Sequence, residues 1–352
     1  LPGEKADSSQ VIVMFKILYD VLPFKQVNPL ENPGAYLAVP EVEIVFADSD
    51  GIIRRRASWS DSLWVNSFIE TNSKDKYTSG FLTLNMPPSK YKITIQIIDK
   101  YKQSNDKAEF EIDLNRNLNK SQIVSMPFFG FVKDKNYPNL IEPYILDGNL
   151  PFSSLDSKVI LFSSIDSKLC DFSYQISKIK AENTEYFNDT VNLSGKADAN
   201  FNKRLMPPQN KKEIFWKLTD RSEGNITDSN ICLVSFDLPA NILTPGKYKM
   251  TVKNSITKDS IYKEFDVLWT DMPLSLQDVE YASKAMYYIL NDDEYDNLRK
   301  GSTREIAKKI SDYWKKYDPT PLTPFNEALY QYFKRVDYAF FNFQTIKERD
   351  GA

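Results

Sequence analysis

The sequence predicts a mainly β chain with a helical end. Two tandem antiparallel β-sandwich (Ig-like) domains, residues 1–120 and 121–270, precede a helical region at 271–352. Three observations carry this reading. Short β-rich runs recur between Asp, Asn, Gly and Pro punctuation, a near-identical hairpin occurs twice, and the apolar period lengthens from strand to helix spacing after Trp269. A chain of 352 residues exceeds one ordinary domain, and 41% hydrophobic residues supply more than one core.

In the first unit the runs fall at 11–18, 35–47, 52–58, 63–70, 79–84, 91–99 and 107–114. In the second they fall near 122–133, 157–163, 170–179, 213–218, 230–238, 247–253 and 261–269. The polar, Asn/Lys-rich stretch at 180–212 reads as long excursions between strands. The repeated hairpin pairs "PPSKYKITIQ" (87–96) with "TPGKYKMTVK" (244–253). In one copy Tyr91, Ile93, Ile95 and Ile97 share a face; in the other Tyr248, Met250 and Val252 do, the alternation of a strand with one face on a core. Similar runs flank both copies, so the two units are expected to be of one type.

Beyond Trp269, Ser275 and Asp278 have capping-box spacing ahead of an apolar stripe of Val279, Ala282, Met286, Ile289 and Leu290. A helix near 293–300 stops at Gly301, and Ser302 with Glu305 opens the next, carrying Ile306, Ile310, Tyr313 and Trp314. Pro319, Pro321 and Pro324 then break the helical pattern by pushing their predecessors out of helical conformation. Thr323 is the expected N-cap of a last helix, with Pro324 at its first position, where a missing N–H costs nothing. That helix should bury Phe325, Ala328, Leu329, Tyr332, Val336, Ala339, Phe340 and Phe343, with Tyr330, Phe333 and Phe341 partly off the stripe. The loop holds no glycine and no nucleophile with a base, so Trp314, Asp318, Pro319, Pro321, Pro324, Asn326, Glu327 and Arg335 are read as a structural or partner-docking elbow. Arg335 could bind an anion, but is expected instead to pin the elbow by pairing with a carboxylate such as Asp318 or Glu327.

Composition removes several functions. The chain has no histidine, which excludes His-dependent hydrolysis and every His-ligated metal within these residues. A net charge of −3 with dispersed charges argues against nucleic acid, and no apolar run is long enough for a transmembrane segment. Cys170 and Cys232 either pair with each other or remain buried thiols. The polar start, "LPGEKADSS", reads as the mature end left by a removed targeting segment or as a cut within a longer chain. No cofactor and no catalytic constellation is recognisable.

"W(x3)DPTPxTPxNE" followed by "RVxYA(x3)F" resembles the bacterial GWxTD-domain family. The matching residues are Trp314, Asp318, Pro319, Thr320, Pro321, Thr323, Asn326, Glu327, Arg335, Val336, Tyr338, Ala339 and Phe343. "VLWTDMPLSLQD" (267–278) resembles the segment that introduces that domain. The likeness covers the helical region, whereas the β units resemble the family in layout alone. Asp350, Gly351 and Ala352 stand where the Gly-Trp-x-Thr-Asp motif would be expected. The resemblance implies a secreted or envelope protein and supplies no catalytic residue.

Other motifs read blandly. "ADSDGII" (47–53) has part of a calcium-loop spacing but lacks the later ligands, so it reads as a hairpin turn. Asp292, Asp293, Glu294 and Asp296 read as acidic residues at a helix start rather than metal ligands. Asn119, Asn188, Asn192 and Asn225 begin sequons of chance frequency, and Asp61-Ser62, Asp189-Thr190 and Asp259-Ser260 resemble a short bacterial O-glycosylation signal. The sequence thus leads to an extracytoplasmic, non-enzymatic protein that binds a protein partner or self-assembles. A carbohydrate-binding module or carboxylate-based glycan enzyme is the alternative, since the aromatics could form a glycan platform.

Overall fold

The computed structural model describes residues 8–27, 34–74, 76–98, 105–115, 125–153, 155–164, 167–180, 186–187, 189–206, 208, 214–220 and 231–343. The chain is mainly β, in several sheets, with a C-terminal helical region.

In the first unit β1 (Ser9–Leu18) pairs with β7 (Tyr77–Met86). A small sheet joins β2 (Lys25–Gln26), β3 (Tyr36–Ala38) and β6 (Leu63–Val65). The larger sheet runs β5-β4-β8-β9, from β4 (Glu41–Asp48), β5 (Ile53–Ser60), β8 (Lys90–Ile98) and β9 (Asn105–Asp113). Alternate residues of these strands meet in one core that includes Val11, Ile17, Val42, Ile44, Phe46, Trp59, Met86 and Tyr91. Gly80 on β7 is required by that packing: a Cβ there would lie 2.6 Å from Trp59 Cε2 and 2.8 Å from Phe15 Cζ. The run expected at 63–70 is a strand only to Val65; Ser67 then caps a helical turn, α1 (Phe68–Thr71), by accepting the Glu70 N–H.

The second unit is one eleven-stranded sheet, in the order β12-β20-β19-β14-β15-β18-β13-β10-β11-β17-β16. Its strands are β10 (Phe128–Val132), β11 (Leu140–Pro143), β12 (Leu150–Pro151), β13 (Ser157–Ser164), β14 (Phe172–Lys180) and β15 (Asn192–Asn200). The remainder are β16 (Lys203–Met206), β17 (Trp216–Asp220), β18 (Ile231–Leu238), β19 (Gly246–Asn254) and β20 (Ser260–Leu268). β15 belongs to both arms of this sheet: its residues up to Ala197 pair with β14, and Asp198 to Asn200 pair with β18. The arms share a core in which Phe129, Val159, Leu161, Val234 and Phe236 meet Phe172, Ile176, Tyr248, Met250 and Phe265. Tyr174 stacks on Phe236 at 3.9 Å.

The residues 180–212 are therefore not a long excursion, because β15 and β16 lie within them. β15 reads Asn-Leu-Ser-Gly-Lys-Ala-Asp-Ala-Asn, so its inward positions are small or few and hydropathy misses it. β13 is apolar on both sides: Val159 and Leu161 enter the shared core, while Ile160 and Phe162 enter a second cluster with Ile141, Leu205, Trp216 and Leu233. Ile12 and Met14 of β1 pack on that second cluster, so the two β units touch.

The hairpin copies occupy matching places. β8 lies between β4 and β9, and β19 lies between β14 and β20. The strand before each pairs elsewhere, β7 with β1, and β18 with β13 and, over Asp198 to Asn200, with β15. Tyr91 Oη donates to the carbonyl of Pro87 at 3.0 Å, and Tyr248 Oη to that of Thr244 at 2.7 Å. Each tyrosine thus clamps the backbone four residues upstream, the device of a tyrosine corner.

The helical region comprises α2 (Leu274–Gln277), α3 (Val279–Ala285), α4 (Asp292–Leu298), α5 (Thr303–Trp314) and α6 (Glu327–Asn342). Ser302 and Glu305 form the expected capping box. Ser275 does not cap: it lies inside α2, and its hydroxyl donates to the Phe333 carbonyl. Asp278 is itself the N-cap of α3, accepting the N–H groups of Glu280 and Tyr281. The Asp337 carboxylate, from α6, accepts the N–H groups of Leu274 and Ser275 at 2.7 and 2.9 Å. Thr323 is likewise not the cap of α6; Asn326 is, and its side chain accepts the Leu329 N–H. α6 buries Leu329 and Phe333, whereas Phe343, expected inside, is exposed.

Candidate functional site

The elbow between α5 and α6 is knit by its own polar side chains. Asp318 Oδ1 accepts the Thr320 N–H at 2.9 Å, an Asx turn, and the Thr323 N–H donates to the Thr320 carbonyl at 2.9 Å. Thr320 donates to the Glu327 carboxylate. Asn326 ties both helices, because its Nδ2 donates to the Trp314 carbonyl at 2.8 Å while its Oδ1 caps α6. Trp314 is buried, 5.1 Å from the Tyr332 ring. Pro319 and Pro321 are exposed and Pro324 is half-buried.

Arg335 does not pin this elbow. It is exposed, and among the described residues it forms no ion pair with Asp318, Glu327 or any other carboxylate. Its place on α6 explains this: the helix begins at Glu327, so the first turn alone reaches the elbow and Arg335 lies two turns beyond.

Under the elbow a cavity of about 360 Å³ separates the helical region from the second β unit. One wall is Pro321, Thr323, Pro324, Asn326 and Asp318; the facing wall includes Phe152, Phe187 and Trp269. These rings and Phe325 meet edge to face, with centroids of Phe152 at 5.3 Å from Phe187, 5.3 Å from Trp269 and 5.4 Å from Phe325. The sequence identified the elbow but not the facing wall. Phe152, Phe187 and Trp269 are far apart in the chain, and only the pairing of β12 with β20 brings the first and last together.

Phe187 is positioned by a buried polar network that the sequence did not signal. Lys178 Nζ donates to the Phe187 carbonyl at 3.3 Å, Asp189 Oδ1 at 2.9 Å and Thr244 Oγ1 at 2.8 Å. Thr244 Oγ1 donates in turn to Asp189, and its N–H reaches Tyr248 Oη at 3.1 Å. All three ammonium protons are taken and the hydroxyl proton goes to a carboxylate, which knits Lys178, Thr244 and Asp189 into one network.

The remaining candidates resolve into local structure. Asp48 closes the β4–β5 hairpin by accepting the Asp50 and Ile52 N–H groups and the Arg54 guanidinium at 2.6 Å. Burial opposes ionisation of Asp48, but these donors outweigh it and hold its carboxyl below the usual range. Asn291 and Glu294 form a capping box at α4, with Asp292 and Asp293 in its first turn and Asp296 exposed. Among the described residues no group of three or more Cys, Asp or Glu side chains could hold a metal ion. Cys170 and Cys232 form no disulfide. Asn192 is exposed on β15, while Asn119, Asn188 and Asn225 lie outside the described residues. Ser62, Thr190 and Ser260 are exposed, but Asp189 is engaged by Lys178. No described helix is long and apolar enough to cross a membrane.

No protein-family model matches the chain, and no curated protein matches it either.

Proposed function

We propose that the chain is a non-enzymatic, extracytoplasmic component of a bacterial envelope or surface assembly. In this reading its β units are tandem Ig-like sandwiches that space and orient the helical region, and the elbow docks a protein partner. The observation that carries it is the elbow cleft, an apolar cavity at a junction between units, rimmed by a few polar groups on a proline-stiffened loop. Leu322, nearly fully exposed at the tip of that loop, offers an anchor beside the cleft. The likeness of residues 314–343 to the GWxTD family supports the envelope location. Fractionation of the host should recover the chain with the envelope, in a complex larger than the chain on native gels, and Leu322→Asp should disperse that complex without changing the melting temperature. Recovery as a free cytosolic monomer would end this reading.

A second reading has one observation in its favour. Trp64 is exposed on β6, in register with Leu37 of β3, which is itself in register with Lys25 of β2. Such a ring is a platform for a sugar face. Glycan-array binding lost in Trp64→Ala would favour the carbohydrate reading.

A further inference from the structure

α6 docks by one side only. Leu329 and Phe333 enter the helical core, Tyr332 Oη donates to the Ala285 carbonyl, and Phe340 packs edge-on to Tyr281. Residues at three- and four-residue spacing on the other side, Gln331, Lys334, Arg335, Tyr338, Phe341 and Asn342, are all exposed. Tyr338 and Phe341 are each 62% exposed, Phe343 59%, and Leu274, held beside Asp337, 55%. Exposed aromatic rings beside an arginine on one helix face are the composition that interfaces favour.

The order of residues along the stripe specifies the occupant. Its first half is basic, Lys334 and Arg335, and its second half aromatic, Tyr338 and Phe341, with no acidic residue between Gln331 and Asn342 on this side. Turned end for end about Tyr338, the stripe complements itself. The basic half of one helix then lies over the aromatic half of another, where the Arg335 guanidinium meets a ring face while Lys334 stays on Tyr330 of its own helix, to whose hydroxyl it donates at 3.0 Å. Self-complementarity about a two-fold axis is the condition for an isologous dimer. We infer that a second copy of this chain covers the stripe, α6 pairing antiparallel with α6 across an axis at Tyr338. Arg335, without a carboxylate partner among the described residues, finds its partner in the ring of the other copy.

The area sets the strength. Large aromatic side chains carry on the order of 150–250 Å² each, so the exposed parts of the two stripe rings supply roughly 250 Å² per copy, to which the Lys and Arg stems add. A standard interface buries about 800 Å² per partner. The dimer is thus weak and concentration-dependent. The pairing rests on the proposed role in assembly and deepens it.

Sedimentation equilibrium of the full chain across micromolar concentrations should show a monomer–dimer equilibrium. Phe341→Asp and Arg335→Glu should each weaken it at least about tenfold, with unchanged melting temperatures. Tyr338→Cys in a Cys170→Ser background should cross-link to dimer on mild oxidation, because only positions near the axis meet themselves, whereas Trp64→Cys should not. A monomer at every concentration, or a dimer indifferent to both charge variants, would overturn the pairing. Either result leaves envelope recovery and the Leu322 test unaffected, so failure of the pairing is distinguishable from failure of the assembly role.

Discussion

Removing the two corner hydroxyls separately should give unequal losses, and the structure fixes their order. Tyr248→Phe deletes an Oη that donates to the Thr244 carbonyl and accepts the Thr244 N–H, both inside the buried network. Two backbone groups then lose their partner where water cannot replace it, at a cost of about 1–3 kcal/mol. Tyr91→Phe deletes only a donor to the Pro87 carbonyl, and Pro87 is exposed, so water can substitute. Its loss should be about 0.5–1.5 kcal/mol. The tyrosines sit in separate cores, so the double variant should be additive. Differential scanning calorimetry of the four proteins resolves this, at roughly 2–4 °C per kcal/mol for units of this size. Equal losses, a larger loss at Tyr91, or marked non-additivity would refute the assignment of the two tyrosines to equivalent but differently buried corners.

Asn326→Ala removes both the α6 cap and the bond to the Trp314 carbonyl and should cost about 1–2 kcal/mol, whereas Asn326→Asp keeps the cap and should cost less; urea titration orders the two. Gly80→Ala should destabilise the first unit by about 1–3 kcal/mol, because Trp59 and Phe15 leave no room for a methyl group, and its denaturation midpoint should fall accordingly. Burial pushes Lys263 down from 10.5 to about 8, against the opposing pull of Asp147. The folded state then sheds this proton before the unfolded chain does, so stability should rise as pH increases from about 8 toward 10.5, by up to roughly 3 kcal/mol. Burial also raises Tyr332 to about 12, which acts oppositely above pH 10. Urea midpoints measured from pH 7 to 10 should climb in the natural chain and stay flat in Lys263→Met.

Features coded by neighbours along the chain were legible in the sequence. The hairpin alternation at Tyr91 and Tyr248, the Ser302–Glu305 capping box and the elbow itself each depend on a few adjacent residues. Features coded by distant partners were not. Ser275 and Asp278 have the spacing of a capping box, yet Ser275 lies inside α2, where Asp337 from α6 accepts the Leu274 and Ser275 N–H groups. Arg335 lies in a sequence window with Asp318 and Glu327, but the start of α6 carries it away from both. The cleft needs Phe152, Phe187 and Trp269, which only sheet pairing and the Lys178 network assemble. β15 escaped because its inward face is carried by alanine, leucine and glycine rather than by large β-branched residues.

The parallel pairing of β12 with β20 governs the order in which the second unit can close during synthesis. Leu150 takes its place opposite Val267, and the Phe152 N–H waits for the Leu268 carbonyl at 2.7 Å. A nascent chain emerging from a ribosome or a secretion channel has therefore exposed this edge long before its partner arrives. In the first unit the wait is shorter, since β1 pairs with β7 and the β5-β4-β8-β9 sheet is complete by Asp113. Long-range pairing of this kind is slow and leaves apolar surface uncovered meanwhile. During that interval β13, apolar on both faces, lacks the part of its core that Phe265 and Val267 of β20 supply.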